Sequence, residues 1–259
     1  MSTPNQTDLS VNLNKIALIR NSRDTTYPSV TKHAQMCIDA GADGITVHPR
    51  PDQRHIRVDD CYDLAHMLNV EFNIEGNPLA PAMKSDRTGV SDYPGFIDLV
   101  KDIKPAQCTL VPDNNEQLTS DHGFDLTQSG DQLAPIIQDL QKLGIRVSLF
   151  MDPDLEQIKL AKQVGADRIE LYTGPYADAV KNDQHVDTVF QQFYQAAETA
   201  LELNIGLNAG HDLNLTNLTR FATIPQLLEV SIGHAMTVDA ISMGLTEAVK
   251  AYQRCLGKH

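Results

Sequence analysis

Two imidazoles and two guanidiniums fall within the eight residues "HPRPDQRH" (48–55), directly after the apolar run Ile45-Thr46-Val47. A loop that only turns the chain draws on Gly, Asn or Asp. His exchanges protons near neutrality, and the guanidinium fork matches phosphate and carboxylate. His48, Arg50, Arg54 and His55 therefore either decorate a solvated loop or await an anionic, proton-exchanging ligand. Glu75 points the same way. It follows Ile74 in another apolar run, where an ionised carboxylate is costly unless paired, and desolvation would lift its pKa into the range of acid–base work. Two further histidines, His211 in "NAGH" and His234 in "SIGH", close apolar runs near the C-terminus. Each alone has a plain reading as a structural hydrogen-bonder; their convergence favours function.

Something must bring these groups together. Eight short apolar segments read as strands: 10–16, 44–49, 70–76, 107–113, 145–152, 167–174, 204–211 and 228–235. Between them, helical spacing predicts helices over 29–40, 59–68, 154–164, 186–203 and 236–255, several closed by Gly. "AGADGITVH" (40–48) and "VGADRIELY" (164–172) repeat one helix-to-strand joint, the mark of a recurring βα unit. Eight strands alternating with helices predict an α/β chain folded as a (β/α)8 TIM barrel over 1–259. A doubly wound sheet is second, weakened because no G-x-G-x-x-G follows the first strand. Active sites of such barrels lie at the C-terminal strand ends. That places Asn12, Asn14 and Lys15 after strand one, His48 and Arg50 after strand two, Glu75 after strand three, Asp152 after strand five and Glu170 after strand six. His211 follows strand seven, and Gly233 and His234 follow strand eight. Gly210 and Gly233 would let backbone N–H groups approach a phosphate, and Arg23 could clamp it. Residues 76–95, rich in Pro and Gly, form a long loop on the same side and read as an active-site insertion.

Composition narrows the partners. The 259 residues carry a formal charge of −13, which argues against nucleic acid and leaves room for small phosphorylated ligands. Cys37, Cys61, Cys108 and Cys255 form no C-x-x-C and read as plain thiols of a reducing compartment. The polar start MSTPNQTDLS has no signal-peptide pattern, and no run approaches a membrane span, so a cytoplasmic protein is expected. Strand one reads Asn12-Leu13-Asn14 rather than His-x-His, H-E-x-x-H is absent, and strand six lacks a Schiff-base Lys. The sequence thus lacks metal and nucleotide motifs. Proton transfer by His and Glu on phosphorylated carbonyl compounds fits best; a non-catalytic phosphometabolite-binding protein is the reading from another class.

The phrases "VNLNKIALIRNSRDTTYP" (11–28), "AGADGITVHPRPDQRHI" (40–56), "NIE" (73–75), "LVPDNNEQLTSDHGFD" (110–125), "IELYTGPYAD" (169–178), "LNAGHDL" (207–213) and "SIGHA" (231–235) resemble, in order, the pyridoxine 5'-phosphate synthase family. The resemblance implies a barrel with extra helices, a homo-octamer, and condensation of 1-deoxy-D-xylulose 5-phosphate with 3-amino-2-oxopropyl phosphate, with neither metal nor organic cofactor expected. It implies acid–base roles for His48, Glu75 and His211. It implies aminoacetone-phosphate contacts at Asn12, Arg23, Gly233 and His234, and deoxyxylulose-phosphate contacts at Arg50, His55 and Thr119. Four positions depart from the family's pattern: Asn14 stands for Asp, Lys15 for His, Asp212 for Gly and Tyr172 for His. Asn14, Lys15 and Asp212 thus enter the substrate-binding set as altered members, and a divergent enzyme acting on another phosphorylated carbonyl is the alternative.

Overall fold

The computed structural model describes residues 7–258 apart from 24, 115 and 118; the first six residues of the polar start lie outside the described residues. Eight parallel strands close into a barrel: β1 (Asp8–Asn12), β2 (Gly44–Val47), β3 (Glu71–Gly76), β4 (Gln107–Leu110), β5 (Arg146–Met151), β6 (Arg168–Tyr172), β7 (Gly206–His211) and β8 (Leu227–Ile232), with β8 pairing back onto β1. Around them run α1 (Asn14–Asn21), α2 (Val30–Asp39), α3 (Val58–Met67), α4 (Phe96–Ile103), α5 (Leu126–Lys142), α6 (Leu155–Gln163), α7 (Gly174–Asn182), α8 (Val186–Glu202), α9 (Leu218–Phe221), α10 (His234–Met243) and α11 (Leu245–Cys255). This is the expected (β/α)8 architecture. Among the described residues no helix is long and apolar enough to cross a membrane.

The strands alternate with a period of two. Leu9 and Val11, Ile45 and Val47, Phe72 and Ile74, Val147 and Leu149, and Ile169 and Leu171 join the apolar cluster shared with the helices. The intervening residues are polar and face each other inside the barrel. Ser10 meets Thr46, Thr109 meets Asn73 and Glu170, and Gln107 on β4 reaches Glu229 on β8. Barrel interiors are usually filled by branched aliphatics; this one is filled by hydrogen-bonding side chains.

The repeated Gly-Ala-Asp joints share one job. The Asp43 carboxylate accepts the Leu9 N–H of the preceding strand at 2.8 Å, and Asp167 accepts Val147 N–H at 2.8 Å. Each pins the start of one strand to its neighbour. Helix starts are local too: Ser29 caps α2 through Lys32 N–H, and Asp154 caps α6 through Glu156 and Gln157 N–H. Asp152, the other acid of "MDPD", instead accepts Gly123 N–H at 3.2 Å.

The strands expected over 107–113 and 228–235 end at Leu110 and Ile232, so His234 opens α10 instead of closing a strand; two further differences have a local cause. The first strand stops at Asn12, because its side-chain oxygen accepts Asn14 N–H at 2.9 Å and turns the chain into α1. Asn14 and Lys15 therefore open a helix rather than end a strand. The C-terminal segment is two helices, broken at Gly244, whose φ of +84° no helix accommodates. The 77–95 segment carries a Met83–Tyr93 bridge and is tied down by Gln53 to Ser91 O at 2.8 Å and by Ser91 to Asp59 at 2.6 Å.

A buried ion pair anchors the loop after β2. Arg20 on α1 donates to both oxygens of Asp60 on α3 and to His55 O, while Asn21 donates to the carbonyls of Gln53, Arg54 and His55. Removing one partner of such a pair leaves a buried charge unanswered, at about 3–5 kcal/mol. Arg20→Ala should lower unfolding free energy by about that amount in urea titration; a loss under about 1 kcal/mol would mean the pair behaves as a surface contact.

Candidate active site

At the mouth, β2 and β3 deliver an acid–base pair. His48 leaves β2 with its backbone N–H held by the Asn14 side-chain oxygen at 2.9 Å. Its Nδ1 lies 3.9 Å from Glu75 Oε2, and its Nε2 lies 3.5 Å from Asp113 Oδ2. Burial, and then the charges of Arg50, His211 and Arg54, push the His48 imidazole down to about 3. It is neutral across the physiological range. Glu75 moves the opposite way: burial, followed by the neighbouring Glu170, Glu229 and Asp113 carboxyls, raises it well above the usual carboxylate range. A neutral base thus faces a carboxyl inclined to keep its proton, as proton transfer in both directions requires. Asn12 donates to Glu75 Oε2 at 3.4 Å.

Arg50 is buried and occupied. It contacts Asp113 closely and donates to the carbonyls of Asn114 and Gln117 at 3.1 Å each. Ser120 completes the carboxylate's partners at 3.0 Å. Burial lifts Asp113 and depresses Arg50, and their contact opposes both shifts. His55 Nδ1 accepts Ile56 N–H at 2.9 Å, which leaves its ring proton on Nε2. Burial, and then the nearby His48, Arg50, Lys15 and Arg54, hold His55 well below its ordinary value. Four basic side chains therefore crowd one imidazole in a chain that is strongly acidic overall. A cavity of about 210 Å3 opens here, lined by His48, Arg50, Asn77, Tyr93 and Asp113 and roofed by Leu79–Pro81. A larger cleft of about 710 Å3 lies at the opposite barrel end beside Asp8, Asp43 and α11; the convergent imidazoles are not there.

Across the mouth, His211 ends β7. Its Nε2 lies 2.5 Å from Thr119 Oγ1, and its Nδ1 lies 2.8 Å from Asp212 Oδ2. Tyr172 packs edge-on at 5.6 Å. Glu170, on the axis below, is raised to about 7 by burial, opposed by Thr109 and His211. Gly210 serves that carboxyl, since a Cβ there would sit 2.2 Å from Glu170 Oε1. Gly233 likewise clears Asn12, 3.0 Å from where its Cβ would be, and forms the N-cap of α10, whose first residue is the exposed His234. Arg23 stands exposed past α1, with no hydrogen bond or ion pair linking it to these residues among those described.

The sequence-predicted residues Asn12, Asn14, His48, Arg50, His55, Glu75, Thr119, His211 and Asp212 thus meet around one mouth, with Lys15 beside His55. Asp113 was missed. It lies past the end of β4, and in "VPDNN" it has the look of a turn acid. Among the described residues no cluster of acidic, His or Cys side chains is set to hold a metal ion.

A profile described as Pyridoxal phosphate biosynthesis protein PdxJ matches residues 9–258. The chain belongs to this family. It is 53% identical over 250 residues to the pyridoxine 5'-phosphate synthase of Xanthomonas axonopodis pv. citri, covering 95% of each chain. It is 49% identical over 251 residues to that of Bacteroides fragilis, covering 96% of this chain and 99% of that one. Among solved structures, KGPDC from Streptococcus mutans superposes with a TM-score of 0.60 at 10% identity, over 97% of this chain and 98% of that one. That likeness is of fold alone.

The depressed His48 makes a signed prediction. Its folded pKa lies below the unfolded value near 6.5, so the unfolded chain binds the proton first and stability falls as pH drops through 6.5 toward about 3. The loss from this group is about 2 kcal/mol between pH 6.5 and pH 5. His48→Gln should flatten that part of the stability–pH curve. An unchanged acid slope would show that His48 does not titrate this way.

Proposed function

We propose that this chain condenses 1-deoxy-D-xylulose 5-phosphate with 3-amino-2-oxopropyl phosphate to give pyridoxine 5'-phosphate, inorganic phosphate and water. The observation that carries the chemistry is the 3.9 Å approach of a neutral His48 to a carboxyl-raised Glu75. Joining an amine to a ketone and closing an aromatic ring means expelling hydroxyl groups and removing protons from carbon. Glu75 holds a proton to give to a departing oxygen. His48 has a free lone pair to take one, and His211 repeats the function from the opposite wall. Between them the substrates would lie away from bulk water, where each such transfer is worth about 10²- to 10⁴-fold in rate.

The phosphates have candidate holders. Arg50 and His55, with Lys15 beside them, form the basic side of the mouth, and Thr119 reaches it from the His211 wall; together they suit deoxyxylulose phosphate. An incoming phosphate competes with the Asn114 and Gln117 carbonyls for Arg50, so binding would shift the segment around residue 117. Asn12, Gly233 and His234 would receive aminoacetone phosphate at the α10 N-terminus, with Arg23 as an outer contact. Residues 77–95, which roof the His48 cavity, would act as the flanking wall of the site. Leu18 and Ile19 on α1 and Val238 and Ile241 on α10 are exposed apolar residues, which supports association of copies, with an octamer as the proposed form. Free buried thiols suit a reducing, cytoplasmic setting. The alternative of another phosphorylated carbonyl substrate is disfavoured by 49–53% identity to synthases over nearly the whole chain.

The test is direct. Purified protein given both substrates should form pyridoxine 5'-phosphate, followed by absorbance and mass. Glu75→Gln should cut kcat by about 10²- to 10⁴-fold. Because the folded Glu75 carboxyl is raised, its stabilising effect is present at low pH and lost as pH rises through the folded value. The Gln variant should therefore melt no lower than the parent at pH 8. Turnover within about tenfold of the parent would remove Glu75 from the chemistry.

A further inference from the structure

His211 is the member of the acid–base set that has a carboxylate of its own. The Asp212 carboxylate can only accept a hydrogen bond, so the ring proton of a neutral His211 sits on Nδ1, facing Asp212 Oδ2 at 2.8 Å. The lone pair is then on Nε2, where the Thr119 hydroxyl donates at 2.5 Å. Carboxylate, imidazole and hydroxyl form a chain aimed into the mouth. We propose that Asp212 is a positioning residue: it fixes the His211 tautomer with Nε2 as the base and favours the imidazolium that forms when Nε2 takes a substrate proton. The Nδ1 proton stays on the ring and Asp212 stays ionised throughout. The inference rests on the acid–base role given to His211 above, and it assigns Asp212 a task other than substrate contact.

The surroundings hold this geometry. His211 has φ +89°, a strained value for a residue with a side chain. It is retained by pairing with Ile232 on β8 and by the anchoring of the next residue: Asp212 O accepts the Asn217 side-chain amide at 3.2 Å, and buried Asn217 accepts the Tyr176 hydroxyl at 3.0 Å. Tyr172 closes one ring edge. The charged and titratable groups facing the imidazole are Asp212 beside it, Glu170 and Tyr172 on β6, His48 after β2, and Asp113 after β4; His234 on α10 faces Asp212. Of these, Asp212 is the one bonded to Nδ1. The hydrogen bond from His211 holds the Asp212 carboxyl below its ordinary value, so the pair is a carboxylate meeting a donor.

The experiment compares Asp212→Asn, Asp212→Gly and His211→Ala with the parent, in full-length protein, using both substrates from about pH 5.5 to pH 9. Both Asp212 variants should lose about 10- to 100-fold in kcat while keeping each KM within about threefold. Matching melting curves would separate this from unfolding, and two different replacements guard against one that fails to fold. Parent-like kcat in both, with His211→Ala inactive, would overturn the role of Asp212 while leaving that of His211. A raised KM at unchanged kcat would make Asp212 a substrate contact and equally overturn it. Full activity in His211→Ala would remove the acid–base assignment and the proposal with it.

Discussion

Glu75, Glu170 and Glu229 are buried in one barrel, each pushed toward protonation first by the loss of water and then, for Glu75 and Glu229, by the other carboxyls. That electrostatic constraint organises the interior. An ionised carboxylate among aliphatic side chains would be expelled or neutralised. Here it is surrounded by Asn12, Asn73, Gln107, Thr109, Asn208 and Ser231, groups that can donate as well as accept. Toward the N-terminal end, Arg146 pairs with Glu71, and Arg168 approaches Glu229 at 4.0 Å and opposes its protonation. Among the described residues no Arg or Lys pairs with Glu75 at the mouth. The lumen therefore runs from acids flanked by arginines at one end to Glu75 at the other, and this proton-holding acid ends up where substrates enter.

The same loss of water acts with the opposite sign on imidazole. A carboxyl loses its anion on burial and an imidazole loses its cation, so His48 and Glu75 are driven to the same net state, both uncharged, without needing to share a proton. Nearby Arg50 and Arg54 reinforce this for His48. Arg50 can carry its charge into the interior because Asp113 meets it, and Asp113 is in turn held by Ser120. The β4–α5 loop thereby becomes part of the electrostatics: it brings Asp113 to one histidine and Thr119 to another. A displacement of that loop would alter both walls of the mouth together.

Much of this was legible beforehand. The barrel, the convergence of His48, Glu75 and His211, and the basic run at 48–55 all followed from strand-sized segments and residue types at their ends. As apolar runs the strands look uniform, yet "LSVN", "FNIE" and "RVSL" alternate strictly, and the alternation carries the polar lumen. What escaped were features set by partners far away in sequence. Arg20 looks like a surface helix cation until Asp60 is placed beside it. Asp113 looks like a turn residue until Arg50 arrives. Boundaries failed where a side chain redirected the backbone, as Asn12 does in ending β1 and starting α1. Asp212 reads in the sequence only as an altered member of the substrate-binding set, because the Nδ1 of its neighbour is placed by the fold.

The strand-one departures from the family's pattern now have physical content. Where the family usually carries Asp, Asn14 presents its amide oxygen to His48 N–H. That contact needs an acceptor, and an amide oxygen serves it as a carboxylate would. What changes is charge: one anion is removed close to His48, and Lys15 places a cation near His55. Both changes make this wall more positive. On the facing wall, Asp212 adds an anion, but it is bound to His211 rather than left toward the mouth. The three substitutions therefore displace charge across the site in one direction, with the positive side where Arg50 and Arg54 already stand. A doubly charged phosphate gains from that direction, so residues that first read as erosion of the site are consistent with the same anionic substrate held by a shifted balance of charge.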